Sequence, residues 1–197
     1  MTNKEGILLI LSGPSGAGKG TICKSLLKET DIQYSISATT RKPRPGEKDG
    51  REYFFITKEE FEKKIQEDAF LEWAQVYDNY YGTPKKFVEE VLVSGKDCIL
   101  EIDPQGAQKV KGKKPDAVYV FIAPPSMQEL KNRITNRGTE NTLEINKRLN
   151  CAKEEMLSMH NYDYVVINDK VETAVKKIQA ILIAEKCRIQ RNKLYCI

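Results

Sequence analysis

Ile7-Leu8-Leu9-Ile10-Leu11 forms an unbroken apolar run near the start of the chain. A short run of this kind, bounded by turn residues, predicts a strand buried on both faces. Similar runs recur within Asp97–Asp103, at Ala117–Ile122 and at Tyr164–Ile167. The stretches between them carry helical spacing. Ile22–Lys28 is the first. Another places Ile145, Leu149, Ala152, Met156 and Met159 on one stripe, and the last runs from Val171 to about Asn192 with Val175, Ile178, Ile181 and Leu182 facing inward. Strands alternating with helices predict an α/β fold, a doubly wound and mainly parallel sheet with helices on both faces.

From Ser37 to about Val93 the pattern changes. Tyr34–Ala38, Glu52–Ile56 and Phe70–Tyr77 read as short strands, and Asn79–Thr83 as a turn into a helix with Pro84 at its first position. Thr57-Lys58-Glu59-Glu60 predicts a capping box opening a helix that ends near Glu67 and buries Phe61 and Ile65. This tyrosine-rich region reads as a small mixed α/β insertion that covers a ligand. Ser126-Met127-Gln128-Glu129 predicts a second capping box, with its helix stopped at Gly138.

Gly13-Pro14-Ser15-Gly16-Ala17-Gly18-Lys19-Gly20-Thr21 joins the first strand to the first helix. Strand, glycine-rich turn and helix start are the setting of a phosphate-binding loop. Glycines let backbone N–H groups turn inward on oxygens, the helix start adds its dipole, and Lys19 brings an ammonium to the outer phosphates. A glycine turn that merely joins strand to helix leaves the lysine's spacing unexplained. The residue after Lys19, ordinarily the Ser or Thr that holds magnesium, is Gly20, so Thr21 is the hydroxyl on offer.

Thr39-Thr40-Arg41-Lys42-Pro43-Arg44-Pro45-Gly46 is either a solvated basic loop or a second anion site. Arg41 and Arg44 carry planar forks that grip phosphate oxygens in pairs, which lysine cannot do. Arg133 and Arg137 lie one helical turn apart, and Arg148 sits on the next helix. Two helices joined by a short loop and bearing these arginines fit a lid that closes over phosphates. Asp103 ends an apolar strand and precedes Pro104, so it can cap the next helix, hold magnesium, or do both.

Composition narrows the class. The 197 residues suffice for one α/β domain with an insertion, and 40% hydrophobic with 30% charged residues is ordinary for a chain that buries a core. A net charge of +4 suits an anionic small molecule without calling for nucleic acid. No span is apolar enough to cross a bilayer, and residues 1–6 lack the apolar region of a signal peptide, so no membrane partner is expected. The five scattered cysteines have no metal-ligand spacing; most are expected to be small buried side chains in a reducing, cytoplasmic setting. The sole histidine, His160, is expected at an exposed helix end.

Taken together, Gly13–Lys19, Thr39–Arg44, Glu72-Trp73-Ala74, Tyr80-Tyr81-Gly82-Thr83, Asp103-Pro104-Gln105-Gly106 and Ile145–Leu149 resemble the guanylate kinase family, in the family's order from about Ile7 to the terminal helix. The resemblance implies the P-loop fold divided into a CORE (1–36, 94–125 and 155–197), a GMP-binding region (37–93) and a helical LID (126–154). It implies reversible transfer of the gamma-phosphoryl group of ATP to GMP, and to dGMP, with magnesium, in purine nucleotide metabolism. A monomer is expected, with oligomers left open. ATP would be bound by Ser15, Gly16, Ala17, Gly18, Lys19, Gly20 and Thr21, with Asn168 near the adenine. Arg41, Arg44, Tyr53 and Tyr81 would hold the GMP phosphate. Glu72 would accept from the guanine N1–H and amino group, Ser37 and Thr83 would read the base edge, and Asp103 would lie near GMP and magnesium. Lys19, Arg41, Arg133, Arg137 and Arg148 would be the catalytic set, with Thr21 and Asp103 as metal positions, directly or through water.

Two rivals stand beside this reading. One is an interaction module that uses the GMP face to bind a phosphopeptide or partner, although such modules characteristically lack the loop retained here. The other is a related phosphotransferase acting on a different phosphorylated sugar or nucleotide.

Overall fold

The structure, a computed structural model, describes residues 5–76, 78–135 and 142–192, with only the backbone described for 142–146. Strand β1 (Leu8–Ser12) is buried along its whole length. It lies at the centre of a five-stranded parallel sheet in the order β2 (Gln33–Tyr34), β7 (Cys98–Glu101), β1, β8 (Val118–Ala123), β9 (Tyr164–Ile167). The unbroken apolar run is explained by helices covering both faces. Leu9 and Leu11 pack with Ile22 and Leu26 of α1 (Lys19–Glu29) and with Val175, Ile178 and Leu182 of α7 (Val171–Lys186). Leu8 and Ile10 face the other way, onto Val88 and Leu92 of α3 (Lys85–Val93) and Ala107 and Val110 of α4 (Pro104–Lys113). The parallel crossovers leave the carboxyl ends of β1, β7 and β8 side by side, where ligands sit in such sheets.

A second sheet, of four strands, runs β4 (Phe54–Phe55), β3 (Ala38–Thr39), β6 (Asn79–Pro84), β5 (Phe70–Val76). Here the local pattern misleads. Tyr34–Ala38 is not one strand: Tyr34 pairs with Ile99 in the first sheet, and Ala38 pairs with Phe54 and Gly82 in the second. Asn79–Thr83 is a strand and not a turn, because antiparallel pairing with β5 fixes it, and Pro84 becomes the cap of α3 rather than its first residue. The expected strand at Glu52–Ile56 shrinks to two residues.

The capping box of α2 (Lys58–Gln66) forms as predicted: Glu60 N donates to Thr57 Oγ1 at 3.1 Å, and Thr57 N to Glu60 Oε2 at 2.8 Å. At α5 (Met127–Thr135) the hydroxyl half forms, Glu129 N donating to Ser126 Oγ at 3.1 Å, while the Glu129 carboxylate takes Arg133 Nε at 2.9 Å. Helix α6 (Thr142–Leu157) follows. The stop at Gly138, the stripe residue Ile145 and the strand end at Tyr77 concern residues or side chains outside the described ones. Helix α7 ends at Lys186, before Asn192; buried Glu185 there gathers Tyr164 OH, Arg188 and Arg191 around it, which favours a short 3-10 turn over further α-helix.

All four described cysteines are free thiols; the expected burial holds for Cys23 and Cys98 and fails for Cys151 and Cys187, which are exposed. Cys196 lies outside the described residues. His160 is exposed in the 3-10 turn Ser158–Asn161, as expected. Among the described residues no helix is long and apolar enough to cross a membrane.

Candidate active site

The loop after β1 turns back over the start of α1. Gly18 caps α1 with φ 92°, a left-handed conformation that suits glycine, and a Cβ there would collide with the Asn168 amide. Asn168, buried at the end of β9, donates Nδ2 to Ala17 O at 2.8 Å and so underpins the loop. Arg133 Nη2 donates to Asn168 O at 3.0 Å, and Arg133 Nη1 reaches Ala17 O at 3.5 Å. Leu130 and Ile134 of α5 pack against the loop at Gly16. From α6, Arg148 Nη2 donates to Ser15 Oγ at 2.7 Å, and Glu155 Oε2 accepts from Ser15 N at 3.3 Å. The loop is therefore roofed by the α5–α6 arginines that the sequence singles out, except Arg137, which lies outside the described residues.

Lys19 Nζ donates to Gly13 O at 2.6 Å and Pro14 O at 3.2 Å, curling over the loop's own carbonyls. Burial pulls the Lys19 pKa down, and Glu101, Glu155 and Asp103 oppose that pull. Glu101 was not among the predicted residues. It is the charged residue ending the otherwise apolar β7, and its carboxylate stands about one van der Waals contact from where a Gly20 Cβ would be. Gly20 thus faces the Glu101 carboxylate, while Thr21 is exposed on the first turn of α1.

The second cluster lies on the smaller sheet. Arg41 sits over the rings of Tyr53 and Phe55, 5.5 and 5.7 Å from their centroids, and Tyr53 meets Tyr81 edge-on at 5.8 Å. Arg41 Nη2 reaches both oxygens of Glu47, at 3.0 and 2.9 Å, and Arg44 N donates to the same carboxylate at 2.7 Å. The Arg44 side chain is exposed, and Ser37 contributes its carbonyl to the sheet through Phe54 N. Glu47 was also missed, although its position three residues beyond Arg44, across Pro45-Gly46, is a turn signal.

Glu72 and Thr83 stand opposite each other on β5 and β6. Both are buried, and Thr83 Oγ1 donates to Glu72 Oε1 at 2.7 Å. Burial pushes the Glu72 carboxyl up to about 7; nearby Asp103 adds to the rise, while Thr83 and Lys109 oppose it. The other Glu72 oxygen lies against Gly106, in the first turn of α4, at 3.0 Å from where a Cβ would stand. Asp103 caps that helix, its Oδ1 accepting from Gly106 N at 2.7 Å. Its charge is felt both by Lys19 and by Glu72. Asp103 thus stands beside Glu72 at Gly106 and within electrostatic reach of Lys19.

The guanylate kinase family model matches residues 5–185. The chain belongs to the guanylate kinase family. It is 63% identical over 191 residues to the guanylate kinase of Caldanaerobacter subterraneus subsp. tengcongensis, covering 96% of this chain and 93% of that one. It is 56% identical to that of Clostridioides difficile, with the same coverage of both chains. The crystal structure of guanylate kinase from Anaplasma phagocytophilum is similar with a TM-score of 0.81 at 35% identity, covering 95% of this chain and 90% of that chain.

The donor set suits magnesium. Glu101 and Asp103 present hard carboxylate oxygens beside the phosphate loop, and a magnesium ion characteristically takes one or two carboxylates and completes its shell with phosphate oxygens and water. Among the described residues no group of three or more His, Cys, Asp or Glu side chains is placed to hold a metal ion.

Proposed function

We propose that the chain transfers the gamma-phosphoryl group of ATP to GMP, and to dGMP, reversibly. The observation that carries this reading is the buried Glu72–Thr83 pair, linked through Asp103 to the loop lysine. An ionised carboxylate in a closed pocket accepts from adjacent donors, and guanine offers N1–H and an amino group side by side. Adenine offers an acceptor at N1 and lacks the 2-amino group, so it would leave the Glu72 oxygen not held by Thr83 buried without a donor, a mismatch worth several powers of ten in specificity.

The remaining residues divide by position. Backbone N–H groups of Ser15–Thr21 and the Lys19 ammonium would hold the ATP phosphates; Arg41, Arg44, Tyr53 and Tyr81 would hold the phosphate of GMP; Ser37 would lie at the base edge. Asn168 would act through the loop it supports. Arg133, Arg137 and Arg148 would close from a lid (126–154) over a core (1–36, 94–125, 155–197) and a GMP-binding region (37–93). Phosphoryl transfer asks chiefly for alignment and charge neutralisation, which this set of cations supplies. Asp103 and Glu101 would hold magnesium, whose chemistry is to neutralise the phosphate oxygens; Thr21, exposed on the first turn of α1, lies away from them. Free thiols suit a reducing compartment, and we place the reaction in cytoplasmic purine nucleotide metabolism, carried out by a monomer.

A coupled assay with ATP and magnesium over GMP, dGMP, AMP and UMP tests the reading. GDP and dGDP are the expected products. AMP turned over as fast as GMP would overturn the guanine assignment, and loss of nothing on chelation by EDTA would overturn the magnesium assignment.

A further inference from the structure

One corner of the phosphate loop already holds an anion that belongs to the chain. Glu155, two helical turns after Arg148 on α6, directs Oε2 at Ser15 N across 3.3 Å, from 140 residues away in sequence. Arg148 Nη2 takes the hydroxyl of the same serine at 2.7 Å. Seven residues make close to two turns, so both side chains leave one face of α6 and meet one loop residue. The Lys19 ammonium lies within electrostatic reach of Glu155 and donates to Gly13 O and Pro14 O.

These are the groups a nucleotide's outer phosphates need: a loop N–H, a lysine and an arginine. A carboxylate is a small planar relative of a phosphate, with two oxygens that accept from the same donors. It also repels a phosphate brought to the same spot. The partly buried Glu155 carboxyl is raised by burial and held down by Lys19 and the Ser15 N–H, so its ionised form depends on partners that ATP would claim. We propose that Glu155 is an internal stand-in for the outer phosphates of ATP, and that ATP binding expels it from Ser15. This rests on the reading of Gly13–Thr21 as the ATP site.

The consequence is a coupling between α6 and the loop. ATP must take the Ser15 N–H from Glu155 while keeping Arg148, so binding exchanges one α6 contact for another. Part of the binding free energy goes into the exchange, and the apparent ATP affinity is lowered accordingly. The sign distinguishes this from an ordinary supporting role: removing a support weakens ATP binding, whereas removing a competitor strengthens it.

The experiment is calorimetric titration of magnesium and ATP into the wild-type chain and Glu155→Gln, with KM for GMP measured alongside. The amide keeps the shape and removes the charge. ATP is expected to bind about fivefold more tightly to the variant, about 1 kcal/mol in binding free energy, with KM for GMP unchanged. Equal or weaker ATP binding by the variant, with the wild type binding normally, overturns the proposal and leaves the ATP site standing. Binding by neither protein overturns the ATP site and the proposal together. Glu155→Asp, which keeps the charge one methylene short of Ser15, decides the matter if the glutamine variant does not fold. It too is expected to tighten ATP binding, by a smaller factor, and weaker binding overturns the proposal.

Discussion

Thr83 Oγ1 donates to Glu72 Oε1 at 2.7 Å, across the antiparallel ladder of β5 and β6. The hydroxyl fixes one carboxylate oxygen, so Glu72 would meet a base in one orientation. Glu72→Ala should lower kcat/KM for GMP by about a thousandfold or more, as expected where a site built to pair with polar donors loses its partner. KM for ATP should be nearly unchanged. Thr83→Val should cost less, because Glu72 keeps its charge and loses only its orientation. Steady-state kinetics with each substrate varied separates these outcomes, and an equal effect on both substrates would refute the assignment of Glu72 to the base.

Among the described residues the hydrogen bonds of Lys19 Nζ go to the Gly13 and Pro14 carbonyls of its own loop. Lys19→Met retains the aliphatic stem and removes the charge, so the fold should survive and the far-ultraviolet circular dichroism should match. Turnover should drop by about a hundred- to a thousandfold, the usual cost of one electrostatic donor to a transition state. Near-normal kcat would remove Lys19 from the catalytic set.

The elements that could be read from the sequence are those decided locally. The apolar run of β1, the capping box at Thr57 and Glu60, and the glycine spacing before Lys19 each lie within one short segment. β6 could not be read because its tyrosines and glycine become a strand only against β5, and the break between β2 and β3 depends on two different sheets. The same division holds in the site. Glu72 and Thr83 stand out through the motifs around them. Glu155 carries no local mark, since its partner Ser15 lies at the other end of the chain, and Glu101 could have been noticed only as a charge at the end of an apolar strand.

Asn168 was expected near the adenine, and its side chain supports the loop backbone at Ala17. Asn168→Ala leaves that buried carbonyl with only the long contact from Arg133. The variant should lose about 1–2 kcal/mol of stability, the cost of an unpaired buried polar group, and KM for ATP should rise through the loosened loop. Urea denaturation measures the first effect; an unchanged midpoint would mean that the amide contact contributes nothing.

Arg41 is held between aromatic rings and the Glu47 carboxylate, with its fork pre-set. Arg41→Lys keeps the charge but has neither the planar stack nor paired donors. KM for GMP should rise by about tenfold, the worth of one charge-assisted hydrogen bond, with little change in KM for ATP. If lysine serves as well as arginine, the fork geometry is irrelevant and only charge matters.

The raised Glu72 pKa makes two pH-dependent effects, both with a definite sign. In the folded chain the carboxyl titrates at about 7, because burial and Asp103 disfavour its ionised form more than Thr83 and Lys109 favour it. In the unfolded chain it titrates near 4.3. Below that value both states are protonated and Glu72 contributes no pH dependence. As pH rises the unfolded chain gives up its proton first, so folding stability from this group falls between about 4.3 and 7 and is level above that. Urea midpoints taken from pH 5 to pH 8 should therefore decline less in Glu72→Gln than in the wild type; parallel curves would refute the raised pKa. GMP follows the opposite trend, because only the ionised carboxylate accepts both guanine donors. Between pH 6.5 and 8 the ionised fraction of a group with a pKa of about 7 rises roughly fourfold, and KM for GMP should fall by about that factor while KM for ATP does not follow. The phosphate of GMP, with a second pKa near 6, is largely dianionic across this window, so the change belongs to the protein. A KM for GMP that is flat or rises with pH over this range would show that Glu72 does not meet the base as a carboxylate.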